Sequence, residues 1–169
     1  MVDALNKNFS LYLEVSEPDR LYRIFIGEEA WKEMLSSSID ECNGVCQGCG
    51  YNPPDKSFLE IHIISGNIKD VKSYNYTLLC KTCHTLQHID VASKKGWIKL
   101  CNSVFDQKRL ISICRSGNVR LKEMINTGEI MLLKTDALEY SNSLSDDMFN
   151  RRKKIKAVFG KNFPKDRLK

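Results

Sequence analysis

The chain has 169 residues, 42% of them apolar and 28% charged, with a formal net charge of +5. That length supports one ordinary core, or one core with an appendage, and excludes two full-sized ones; the composition excludes collagen-like, wholly disordered and channel-forming chains. No window approaches eighteen consecutive apolar residues, and residues 1–8 lack the basic head and apolar run of a secretory signal, so no membrane insertion and a cytoplasmic location are expected.

In chain order, residues 9–15 and 21–26 alternate apolar and polar side chains on either side of turn chemistry at Pro18, which predicts a β-hairpin. Residues 28–39 place Ala30, Trp31, Met34 and Leu35 at helical spacing, and the glycine- and cysteine-rich segment 44–50 ends that helix. A strand is expected at 58–64, a polar loop at 66–76, a helix over 82–92 and a short strand at 97–100. Helices follow at 106–114 and 119–125, an extended piece at 130–133 and a final helix at 145–159, with Asp146 and Asp147 at its positive end. Beyond Gly160 the chain reads as disordered. Residues 151–169 carry nine basic side chains against Asp166 alone, a net +8 that leaves −3 for the rest. A phosphate backbone or an acidic partner would dock on that segment; a solvated terminal helix is the plainer alternative.

Seven cysteines is an odd number for a chain without an export signal, so thiolate chemistry is expected rather than a disulfide framework. Cys46 and Cys49 form one C-x-x-C pair and Cys80 and Cys83 a second, with 30 residues between the pairs. Two such knuckles present four thiolates tetrahedrally to one structural zinc ion, with Cys42 as a substitute ligand; a redox C-x-x-C would leave the second pair unexplained. Cys101 and Cys114 sit in apolar surroundings and read as small buried hydrophobes.

All three histidines, His62, His84 and His88, are interleaved with the second half of this frame. His62 falls near the end of the expected strand, and His84 and His88 lie at i and i+4 of the expected helix, a spacing that chelates a cation from one helical face. Three imidazoles around one divalent ion is the sharper reading. The blander one makes His84 a support for the zinc site and His88 a surface residue.

The string Cys46-x-x-Cys49-Gly50, Leu59-Glu60-Ile61-His62, Asn75 and Cys80-x-x-Cys83-His84-x-x-x-His88 resembles the HNH, or ββα-metal, endonuclease motif with its zinc-knuckle support. The resemblance implies that His62, His84 and His88 ligate a catalytic ion, magnesium or another divalent metal, and that Asn75 pins the intervening loop. It implies a structural zinc on Cys46, Cys49, Cys80 and Cys83. One position departs from the pattern. Family members that cut DNA carry a general-base histidine directly after the first, where this chain has Ile63, and a shifted register that makes His62 the base leaves Ile61 in place of a ligand. Glu60, two residues before His62 and on the same strand face, is the nearby substitute base.

A looser similarity runs along about 150 residues. Arg20-Leu21-Tyr22, the zinc frame, Gly96-Trp97-Ile98-Lys99-Leu100, Phe105-Asp106-Gln107-Lys108-Arg109-Leu110 and the late basic segment resemble the DotN/IcmJ type. In that family an eroded HNH-like fold is an adaptor on the coupling ATPase of a type IV secretion system. The expectation is therefore an α+β single domain over residues 1–160, with a ββα zinc core at 42–92, an N-terminal β-hairpin, a helical extension at 102–160 and a basic tail at 161–169. Its expected function is protein binding, with active DNA hydrolysis as the alternative; enzyme status stays open at Ile63.

Overall fold

The computed structural model describes residues 11, 19–65, 67, 69–70, 72, 75–134 and 155–168. They form an α+β protein whose described residues fall into two units, one at 19–84 and the other at 11 and 85–168.

In the first unit, α1 (Asp19–Ile26) and α2 (Glu28–Glu41) pack on an antiparallel pair, β1 (Leu59–Ile63) and β2 (Tyr76–Cys80), and β2 runs directly into α3 (Lys81–Thr85). The alternation of β1 divides its side chains between two faces. Ile61 and Ile63 join Tyr22 of α1 in a buried apolar cluster, with Trp31, Met34 and Leu35 of α2 packed around it. Tyr22 and Trp31 meet edge to face at 6.1 Å between ring centroids. Glu60 and His62 occupy the other face of β1.

Residues 21–26 are helical, which corrects the expected N-terminal β-hairpin; its first strand, at 9–15, lies outside the described residues apart from Leu11. A short apolar run fits either period, and tertiary packing decides between them. Helical spacing turns Tyr22 and Ile26, four residues apart, onto the same cluster. Gly27, at φ +89°, then turns the chain from α1 into α2. Across that joint Arg23 makes two charge-assisted hydrogen bonds with the Glu28 carboxylate, one of them at 2.6 Å.

In the second unit, α4 (Ile89–Lys94) leads into β3 (Ile98–Ser103). β3 is the centre of an antiparallel sheet ordered β4 (Ile130–Leu132), β3, β5 (Lys156–Phe159). Between β3 and β4 lie α5 (Gln107–Arg115) and α6 (Asn118–Asn126), and Asp106 caps α5 by accepting a 2.7 Å hydrogen bond from the Arg109 N–H.

Two C-terminal expectations fail here. Residues 156–159 form a strand rather than the end of a helix, with Ile98 opposite Phe159 and Leu100 opposite Ala157. Three successive buried residues, Ala157, Val158 and Phe159, suit a strand covered on both faces and exceed the buried stripe of a surface helix. The rest of the expected helix, at 145–154, lies outside the described residues. Residues 161–168 are ordered: the Phe163 ring lies 4.3 Å from that of Phe159 and meets Trp97 edge to face at 6.0 Å, and a short helix, α7 (Lys165–Leu168), follows. Arg167 and Lys95 both stand over the Trp97 ring, so Arg167, one of the terminal cations that the plainer reading leaves solvated, is engaged by an aromatic face.

Gln107 ties α5 to β5. Its buried side chain donates to the Ala157 carbonyl and accepts from the Ala157 N–H, each at 2.9 Å. Gln107→Ala leaves both backbone groups without these partners and is expected to cost about 1–3 kcal/mol, read as a lowered denaturant midpoint with an unchanged slope.

Candidate metal centre

The four expected zinc ligands converge. Cys46 and Cys49 sit in the turn that follows α2, Cys80 is the last residue of β2, and Cys83 lies in α3. Their sulfurs all lie within 4.8 Å of one another. A tetrahedral ion with metal–sulfur bonds of about 2.3 Å sets its sulfurs about 3.8 Å apart, and Cys49 Sγ and Cys80 Sγ are separated by 3.8 Å. The residues present therefore fit a four-thiolate metal ion. All seven cysteines are unbridged. Cys42, the substitute ligand, is buried at the C-cap of α2 and is not in the group of four; Cys101 and Cys114 are buried, and burial pushes the Cys101 thiol up to about 12.

Backbone hydrogen bonds hold the knuckle in place. The Gln47 N–H donates to the Leu78 carbonyl at 2.8 Å, stitching the knuckle to β2, and the Cys46 N–H donates to Tyr51 O at 2.8 Å. Gly48 makes room for a close approach: a Cβ there would stand 3.1 Å from both Cβ and Sγ of Cys83 and 3.2 Å from a methyl of Leu79. Gly50, at φ +75°, makes the turn beyond Cys49.

Without a cation, four thiols this close share one another's protons. The hydrogen bond from Cys46 chiefly pulls Cys80 down to about 7. Cys46 is pushed up, first by its hydrogen bond with Cys49, and burial pushes Cys83 well up. A dication would lower all four, because it stabilises every thiolate at once.

On the other face of the β1–β2 pair the structure gathers the polar residues. His84 Nδ1 lies 2.6 Å from Glu60 Oε2, and the rings of His62 and His84 stand 5.5 Å apart at 59°. The ligand nitrogens of His62 and His84 lie within 4.8 Å of one another; His88 belongs to the second unit. One expectation needs correction: His84 and His88 do not share a helix. α3 ends at Thr85, and His88, at φ −127°, is the residue before α4. Leu86, Gln87 and Ile89 are all buried, a wider arc than one stripe of a continuous helix covers, and the chain breaks to bury them.

Asn75 takes the loop-pinning position. Buried at the start of β2, it accepts from the Ser65 N–H through Oδ1 and donates to the Asp70 carbonyl through Nδ2, both at 2.8 Å. Its own carbonyl accepts from the Ile64 N–H at 2.7 Å. Ile63 is 2% exposed and points into the Tyr22 cluster, away from His62. Glu60, the candidate substitute base, is instead the partner of His84. The sequence reading missed Gly48 and this Glu60–His84 pairing. The glycine between two cysteines was visible, whereas the pairing depends on where α3 lies over β1.

Compared with known protein families and with curated proteins, the chain matches none.

Two outcomes follow for the sulfur cluster. Metal uptake must displace protons from thiols whose pKa values are raised, so affinity falls as pH is lowered and loading in weak buffer releases protons, both measurable by calorimetry. Gly48→Ala crowds the Cys83 side chain, with a Cβ 3.1 Å from its sulfur, and is expected to weaken metal retention by about 1–3 kcal/mol in chelator competition.

Proposed function

We propose that this chain is a zinc-stabilised HNH-like protein with an incomplete catalytic site that acts as a protein-binding adaptor. Its partner, following the similarity to the DotN/IcmJ type, is a coupling ATPase of a secretion or DNA-transfer system. Zinc would be held by Cys46, Cys49, Cys80 and Cys83, where it supplies a structural crosslink. The ion suits the donor set, since four thiolates in tetrahedral reach select zinc over the oxygen-seeking divalent ions.

The observation that carries the reading is the position of Ile63. A general base must lie within hydrogen-bond reach of the water it deprotonates. The residue in that position is part of an apolar cluster on the opposite strand face from the histidines, and Glu60 is already engaged with His84. A positioned base contributes roughly 10² to 10⁴ in rate, so a site without one is at best a feeble nuclease. Leu21, Ile24 and Phe25, 45%, 66% and 54% exposed on α1, supply an apolar surface of the kind a protein partner covers.

Active, metal-dependent DNA hydrolysis, with His88 as a third ligand beside His62 and His84, is the second reading, favoured by the proximity of His62 and His84 and by the loop bonds of Asn75. Three imidazoles suit a transition-metal dication better than magnesium. Lys156, Lys161 and Lys165 would then meet the phosphate backbone, and DNA binding would weaken steeply as salt rises.

On supercoiled plasmid with magnesium, manganese or nickel, the zinc-loaded chain is expected to show no nicking above background; nicking that His88→Ala abolishes overturns the adaptor reading. Ile63→His is expected to lower stability by about 2–4 kcal/mol in denaturant unfolding and to create no cleavage, because the new imidazole enters the apolar cluster.

A further inference from the structure

The β1–β2 pair carries one polar side chain that neither the sulfur cluster nor the expected histidine site uses. Thr77 is 0% exposed, and its hydroxyl has no hydrogen-bond partner among the described residues. An unsatisfied buried hydroxyl is costly, and valine would fill the same volume in a strand without that cost. Such a group points to a partner present only when the site is loaded.

The register identifies that partner. Thr77 lies directly opposite His62, and directly opposed residues of an antiparallel pair project from the same face with Cβ atoms about 4.5–5.5 Å apart. Imidazoles that hold a metal ion through one nitrogen donate the N–H of the other to a nearby acceptor, which sets ring orientation and tautomer. His84 has such an acceptor in Glu60, at 2.6 Å. Glu60 and Thr77 stand on the same sheet face, one on each strand.

We infer that Thr77 is the positioning residue for His62: its hydroxyl accepts the ring N–H that His62 turns away from a transition-metal dication, as Glu60 does for His84. The inference rests on the reading that the histidines hold an ion, and it adds what orients them. The hydroxyl is thus retained at a cost to the unloaded protein for a hydrogen bond made in the loaded one.

The test uses the full chain carrying one equivalent of zinc, titrated with further zinc by calorimetry. The wild type is expected to take up a second equivalent. Thr77→Val is expected to bind that equivalent on the order of tenfold to a hundredfold more weakly, while its one-zinc form melts at or above the wild-type temperature. Thr77→Ser, which restores the hydroxyl, is expected to recover most of the affinity. In the two-zinc wild type, the His62 ring N–H is expected as a slowly exchanging NMR signal that Thr77→Val removes. Equal second-zinc affinity in wild type and Thr77→Val, or Thr77→Ser as weak as Thr77→Val, overturns the role of Thr77 and leaves the histidine site standing. A wild type that takes up no second equivalent overturns the histidine site itself and this inference with it. Should Thr77→Val not fold, a rapidly exchanging His62 ring N–H in the two-zinc wild type overturns the inference alone.

Discussion

Four sulfurs within 4.8 Å of one another gather the pieces of the first unit that have the least regular structure of their own. The Cys46–Cys49 knuckle is a turn without regular secondary structure, and α3 is a helix of five residues, too short to be stable alone. An ion on the four sulfurs would fix both through a shared crosslink. Cys49 and Cys80 lie 31 residues apart, and closing a loop of that size by a covalent or coordinate bond removes on the order of 3–4 kcal/mol of unfolded-chain entropy. The backbone anticipates the closure through Gln47 on Leu78 and through the space left beside Cys83 by Gly48.

The two-stranded pair next to the cluster divides its labour by face. Ile61 and Ile63 bury apolar surface against α1 and α2, while Glu60, His62 and Thr77 look the other way. A strand that keeps strict alternation cannot place two neighbouring residues on the same side. With His62 on the polar side, the next residue belongs to the core, and isoleucine satisfies that demand. The feature that weakens the case for catalysis is therefore also a requirement of packing.

The sequence exposed local chemistry well and long-range placement poorly. The C-x-x-C pairs declare themselves because ligand spacing within a knuckle is local, and the α+β class follows from the alternating and helical segments. β1, α2, α5 and α6 lie close to their expected bounds. The short apolar run at 21–26 fits both periods, and only its packing on Ile61 and Ile63 selects the helix. The run at 156–159 reads as the end of a helix until β3 is beside it. The break between His84 and His88 is driven by burial of Leu86, Gln87 and Ile89, a tertiary demand with no glycine or proline to announce it. Thr77 is inconspicuous until the register sets it across from His62.

No residue separates Cys83, a sulfur of the cluster, from an imidazole, since His84 follows it directly in α3. Any shift of that short helix moves both donors, so filling the sulfur cluster and ordering the imidazole are energetically linked. Linkage is reciprocal: whatever factor an ion on the thiolates adds to affinity at the histidines, an ion at the histidines returns to the thiolates. Were both groups to hold ions, loss of either ion would loosen the hold on the other.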